Sequence, residues 1–105
     1  MLKGKVAVIT GAGRGIGRAI ALQFAEYGSK VVVNYLNSVT QVEELLAAIK
    51  NAGGEAIAVQ ADVSKDAQAK KLIEEAVRQF GRVDILVNNA GITKDNLFEV
   101  GRPVR

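Results

Sequence analysis

Two kinds of hydrophobic pattern alternate along the chain. Four short runs of mostly apolar, often β-branched residues predict buried strands at positions 5–10, 30–35, 55–60 and 82–88. Between these runs, apolar residues recur every three or four positions, which predicts three amphipathic helices. The predicted order of elements is therefore β-α-β-α-β-α-β.

The first helix is predicted over positions 15–27. Its apolar positions Ile16, Ile20 and Phe24 recur at helical spacing, and Gly28 is a suitable terminating residue.

Serine residues precede the other two predicted helices. Ser38 has the spacing of a capping box, and this helix is expected to end at Gly53 and Gly54. Ser64 is the expected N-cap of the third helix, which should end at Gly81. The predicted apolar stripes are Val39, Val42, Leu45, Leu46 and Ile49 in the second helix, and Leu72, Ile73, Ala76, Val77 and Phe80 in the third.

The order of elements defines an α/β fold class. The strands are too apolar to have a solvated face, so the pattern favours a parallel sheet covered by helices. Right-handed crossovers place the first two helices on one face, and strand order 3-2-1-4 places the third on the other. This is a Rossmann-type doubly wound sheet, with a ligand crevice expected at the carboxyl ends of strands one and four.

Composition limits the classes of function. The 105 residues are 49% hydrophobic and 24% charged, as expected for one soluble globular domain. The absence of Cys and His excludes thiolate and imidazole chemistry, and the lack of Cys fits a cytoplasmic location. A net charge of +3 from scattered basic residues does not favour nucleic acid as a partner. No apolar stretch is long enough for a signal peptide or membrane span.

A glycine-rich turn follows the first predicted strand. Its glycines are Gly11, Gly13, Gly15 and Gly17, and the spacing it offers is Gly11-x-x-x-Gly15-x-Gly17. Ile16 occupies the last glycine position of both the Walker A loop and the G-x-G-x-x-G fingerprint, so neither motif matches. The turn can still bring a phosphate close to the backbone at a helix N-terminus. The alternative is a glycine-rich turn that binds nothing.

Three motifs together resemble the short-chain dehydrogenase/reductase family. They are TGAGRGIG at 10–17, DV at 62–63 and NNAG at 88–91. The segment NNAGITKDNLF at 88–98 is most similar to the 3-oxoacyl-[acyl-carrier-protein] reductases of fatty-acid biosynthesis. Since the similarity runs from about Lys3 to Phe98, we expect a cofactor-binding half-domain over 1–98 and an atypical tail over 99–105.

The resemblance also implies roles for individual residues. The glycine loop would hold the pyrophosphate, Asp62 and the backbone of Val63 the adenine, and 89–91 the ribose and nicotinamide. Asn88 would mainly tie neighbouring backbones together. The cofactor-binding residues implied in this way are Gly11, Gly13, Arg14, Gly15, Ile16, Gly17, Asp62, Val63, Asn89, Ala90 and Gly91. Alternatively, Asp62 is only a turn residue, and the asparagines are only strand-end amides.

The end of the second strand favours NADP(H) over NAD(H). An NAD-type site has a carboxylate there for the ribose hydroxyls, but no acid occurs between Glu26 and Glu43. Arg14 could pair with a 2′-phosphate, unless it is only a solvated loop charge. The neutral side chains expected to help are Asn34, Tyr35 and Ser38.

The family's catalytic set is absent from these 105 residues. The resemblance implies chemistry by a Ser and a Tyr-x-x-x-Lys, but the residues four positions after Tyr27 and Tyr35 are Val31 and Val39. We therefore expect cofactor binding without catalysis by this chain alone. Two alternatives remain: a partner chain supplies the missing half, or the chain is a self-assembling fragment that no longer binds cofactor.

Self-association is also expected. A single helix leaves much of one sheet face bare, and strand four is an apolar edge. A two-fold dimer through that face or edge is the simplest result.

Overall fold

Four parallel strands form one sheet in the order β3-β2-β1-β4. The computed structural model describes residues 3–12, 15–37 and 39–89. Its elements are β1 (Val6–Ile9), α1 (Gly15–Glu26), β2 (Lys30–Tyr35), α2 (Val39–Asn51), β3 (Glu55–Gln60), α3 (Asp66–Phe80) and β4 (Ile85–Val87). The predicted fold class and strand order are confirmed.

Helices cover both faces because alternate strand residues point in opposite directions. Val31 and Val33 of β2 belong to a core with Leu45, on the face covered by α1 and α2. Val32 belongs to a second core with Leu72, on the α3 face. The sheet is thus doubly wound, which places β1 and β4 at the switch between the two crossover directions.

Most residues of the predicted apolar stripes are buried or half-buried, but one residue in each helix is exposed. Ile16 is 59% exposed, and Val39 and Val77 are also exposed. In α1 the fully buried residues are Gly17 and Ala21. The buried face of α1 therefore centres one position after Ile16, and small residues let the helix lie close to the sheet.

The predicted cap of α3 is wrong, whereas its predicted end is confirmed. Lys65 is the N-cap and makes no side-chain capping bond. The Ser64 hydroxyl instead donates to Asp62 Oδ1 at 2.6 Å. At the other end, Gly81 adopts φ 84° and its N–H donates to the Val77 carbonyl at 2.7 Å.

The fourth strand is shorter than the predicted 82–88, because Asp84 pairs with β1 partly through its side chain. The N–H of Asp84 donates to the Val6 carbonyl at 2.9 Å, and Asp84 Oδ2 accepts from the Val6 N–H at 2.9 Å. Asp84 Oδ1 accepts two bonds from Arg82, at 2.7 and 3.0 Å. The carboxylate therefore closes the amino end of the β1–β4 ladder.

Asp84 should make stability depend on acid pH. Hydrogen bonds from Arg82, and then from the Val6 N–H, hold the pKa of Asp84 below its ordinary value. Its contribution is thus present above the unfolded pKa of about 3.9, and it is lost as pH falls through the folded pKa. We expect Asp84→Asn to be less stable at pH 7 and to lose less stability on acidification, as measured by urea midpoints.

The control for this effect is Glu55→Gln, which removes a carboxylate from the opposite edge strand. It should keep the wild-type dependence on pH. Equal pH dependence of Asp84→Asn and the unaltered chain would contradict the prediction.

None of the helices in the described ranges combines the length and the hydropathy needed to cross a bilayer.

Candidate functional site

The carboxyl ends of all four strands border one cleft. A cavity of about 360 Å³ lies there, at the edge where the strand order predicts a crevice. Its lining residues are Gly11, Asn34, Leu36, Ala61, Asp62, Val63, Ser64 and Asn88. Leu36 and Ala61 were not predicted. They directly follow the paired residues Tyr35 and Gln60, so the register of β2 and β3 is the signal that would have identified them.

The glycine loop has a backbone that side chains would disturb. Gly11 and Gly15 adopt φ of 61° and 64°, in the left-handed region that favours glycine. A Cβ on Gly17 would lie 2.5 Å from the Gly11 carbonyl oxygen and 2.5 Å from Asn89 Nδ2. The loop thus closes tightly against the first turn of α1, whose free N–H groups can bind an anion. The predicted site residues Gly13 and Arg14 lie outside the described residues.

Thr10 and Asn89 tie the ends of β1 and β4 together. The Asn89 N–H donates to Thr10 Oγ1 at 2.8 Å, and Asn89 Nδ2 donates to the Gly11 carbonyl at 3.0 Å. Asn88 is exposed, and its Oδ1 accepts from the Thr10 hydroxyl at 3.4 Å. Asn89 thus joins the two strand ends, and Asn88 lines the cleft while also accepting a bond from Thr10. The expectation that Asn88 mainly ties neighbouring backbones together stays a prediction.

Asn34 lies at the bottom of the cleft with its carboxamide fully engaged. The residue is 2% exposed. Its Oδ1 accepts from the Gly11 N–H at 3.2 Å, and its Nδ2 donates to the Ala61 carbonyl at 3.0 Å. Because these groups are buried and bonded, the prediction that Asn34 offers its side chain to a 2′-phosphate is wrong. Tyr35 is half-buried beside it, and Ser38 lies outside the described residues.

Asp62 places an ionised carboxylate at the wall of the cleft. Hydrogen bonds from the hydroxyl and then from the backbone N–H of Ser64 hold the pKa of Asp62 below its ordinary value. The Asp62 N–H donates to Gln68 Oε1 at 2.7 Å, which fixes the turn. Asp62 is therefore a turn residue and also a fixed hydrogen-bond acceptor facing the cleft. Val63 lines the same cavity, whereas Ala90 and Gly91 lie outside the described residues.

A protein-family comparison agrees with this arrangement of loops. The family model described as short chain dehydrogenase matches residues 5–102, which is nearly the whole chain. The chain belongs to the short-chain dehydrogenase family. The predicted family resemblance is thus confirmed, and the match continues past Phe98, the last residue of the predicted similarity.

Among curated members of this family, similarity to bacterial and fungal reductases is strong. The chain is 57% identical over 94 residues to 3-oxoacyl-[acyl-carrier-protein] reductase FabG of Staphylococcus epidermidis, covering 90% of this chain and 38% of that protein. It is 53% identical over 91 residues to a probable tetrahydroxynaphthalene reductase of Zymoseptoria tritici, covering 87% and 34%. The chain therefore spans little more than a third of the length of these relatives.

Solved structures of other proteins show the same fold. A dehydrogenase/reductase from Sinorhizobium meliloti superposes with a TM-score of 0.84 at 42% identity, covering 87% of this chain and 36% of that one. A blue fluorescent protein from a metagenomic library, crystallised in complex with NADPH, superposes with a TM-score of 0.83 at 42% identity, covering 87% and 38%.

Proposed function

We propose that this chain is the NADP(H)-binding portion of a short-chain oxidoreductase similar to the 3-oxoacyl-[acyl-carrier-protein] reductases of fatty-acid biosynthesis. The observation that carries the proposal is the cleft at the carboxyl ends of the strands. Three separate parts of the chain meet there: the glycine loop, the turn at Asp62, and the asparagines Asn88 and Asn89. High identity to a named reductase of that class supports the choice of reaction.

The residues around the cleft fit the chemistry of a dinucleotide. Because Gly17 has no Cβ, the loop can close against the first turn of α1, whose N–H groups would bind the pyrophosphate. Asp62 is an acceptor suited to the exocyclic amine of adenine, with Val63 as an apolar neighbour. Asn89, Ala90 and Gly91 would contact the adenosine ribose and the nicotinamide side. When bound, the cofactor supplies the hydride.

The phosphorylated dinucleotide fits better because β2 ends without a carboxylate. The residues from Asn34 to Asn37 are neutral, whereas a site for the free ribose has an acid there. The carboxylate of Asp62 follows β3 instead, where it would face the adenine. Arg14 would provide the cation for the 2′-phosphate.

We expect NADPH to bind about tenfold or more tightly than NADH, because a charge-assisted bond to Arg14 contributes about 1.5–3 kcal/mol. Arg14→Ala should narrow that difference, as measured by fluorescence titration of both cofactors. Arg18→Ala, one turn further along α1, is the matched control and should keep the preference. Equal affinities of the unaltered chain for NADPH and NADH would contradict the choice of cofactor.

We infer that the 105 residues bind the cofactor without transferring hydride, since they contain no Tyr-x-x-x-Lys. Oxidation of NADPH by a 3-oxoacyl thioester should stay at background with this chain alone. Activity gained on adding a chain that carries the missing residues would identify it as part of a divided reductase. Absence of any cofactor binding would favour the self-assembling structural fragment instead.

A further inference from the structure

Asn34 connects three strands at the base of the cleft. Its backbone and side chain bond to the loop after β1, and its carboxamide also bonds to the end of β3. We propose that Asn34 is a positioning residue. It would hold the glycine loop in the conformation that binds the cofactor and connect that loop to the turn at Asp62, where adenine would bind. The proposal rests on the proposed cofactor function of the same cleft.

The first half of this link is to the glycine loop. The N–H of Gly11 donates to Asn34 Oδ1 at 3.2 Å, and the N–H of Ala12 donates to the Asn34 carbonyl at 2.9 Å. Two consecutive loop donors are thus held by one residue of β2 and turned away from any ligand. The N–H groups that would bind an anion are therefore those that follow Ala12 in the sequence, toward the start of α1. By holding Gly11 and Ala12, Asn34 fixes the position from which this part of the chain continues.

The second half of the link is to β3. Asn34 Nδ2 donates to the Ala61 carbonyl at 3.0 Å and to the Val59 carbonyl at 3.3 Å. Ala61 directly precedes Asp62. The same carboxamide is therefore bonded both to the glycine loop and to the residue next to Asp62, the proposed acceptor for adenine. Because Asn34 is buried, a lost bond would leave a loop N–H or a strand carbonyl without a ready replacement from water.

Only a side chain with both an acceptor and a donor satisfies this position. Aspartate has the shape of asparagine, but when ionised it presents oxygen to the carbonyls of Val59 and Ala61. When protonated, its hydroxyl can donate to Ala61 while its other oxygen accepts from Gly11. The Asn34→Asp variant should therefore regain the wild-type bonds as the pH falls.

The test compares the NADP⁺ affinity of each folded variant with that of the unaltered chain at the same pH. Protonation of the cofactor itself then affects both affinities equally and drops out of the comparison. Asn34→Asp should bind about tenfold or more weakly at about pH 8 and approach the wild-type affinity at about pH 5. Asn34→Leu, which removes acceptor and donor, should bind weakly at both. Val32→Ala is the matched control on the same strand and face: it lowers stability but should leave the affinity unchanged.

Affinities of folded Asn34→Asp and Asn34→Leu within twofold of wild type at both pH values would overturn the proposal. Amide exchange on the unaltered chain without cofactor tests it independently of variant folding. Slow exchange of the Gly11 and Ala12 N–H groups is expected, and fast exchange of Gly11 would overturn the link. If the unaltered chain fails to bind NADP⁺, the proposed function is wrong, while the exchange data still decide the role of Asn34 in the loop.

Discussion

Replacing Gly17 with alanine is expected to lower the stability of the fold by about 1–3 kcal/mol and to weaken NADPH binding about tenfold or more. The added Cβ would lie 2.5 Å from the Gly11 carbonyl oxygen and from Asn89 Nδ2. Helix propensity acts in the opposite direction, since alanine is favoured over glycine by about 1 kcal/mol within a helix. The clash should decide the sign, because one of the two contacted atoms belongs to the backbone of the loop.

Urea denaturation and NADPH titration measure the two effects. Gln23→Ala, at an exposed position of the same helix, is the matched control and should change neither property. Adding Asn89→Ala to Gly17→Ala should relieve only part of the defect, since the contact with the Gly11 carbonyl remains. A Gly17→Ala chain that is as stable as wild type and binds NADPH equally well would contradict the prediction.

Two of the four strands could be predicted to the residue because their signals are local. β2 and β3 have the predicted limits, each being an apolar run that follows a glycine turn. β4 is shorter than predicted because Asp84 pairs with Val6 through its carboxylate, which β-propensity does not describe. Serine is also a residue type favoured at helix N-caps, but the hydroxyl of Ser64 donates its hydrogen bond to the nearby carboxylate of Asp62 instead.

The location of the candidate site could be predicted from topology, but the hydrogen bonds and roles of individual side chains could not. Parallel strands bring their carboxyl ends to one edge, so the glycine loop and the segments at Asp62 and Asn88 had to be near each other. Asn34, however, is 23 residues from Gly11 and 27 from Ala61, by its side-chain bonds to each. The composition of the chain does not encode whether such a side chain faces a ligand or joins strands.

The 105-residue chain in isolation is expected to form a dimer at micromolar concentration. Within residues 3–12, 15–37 and 39–89, β4 pairs only with β1, so no described strand lies against its other edge, and such an edge is a template for pairing with a second chain. Beside that edge, a groove of about 600 Å³ separates β4 from α3 and includes Leu86 and Ile73 among its lining residues. A second copy can pair its own β4 with this edge in a two-fold arrangement and cover both grooves.

Sedimentation velocity should therefore give a mass near twice the 11.1 kDa of the chain. Leu86→Lys should weaken the dimer about tenfold or more, because pairing would bury an ammonium group without a partner. Val77→Lys makes the same change in charge at an exposed position of α3 and should leave the dimer intact. Circular dichroism checks that both variants are folded. A monodisperse monomer of the unaltered chain would show that the edge and groove do not drive association, and equal dimerisation of folded Leu86→Lys would place the interface elsewhere.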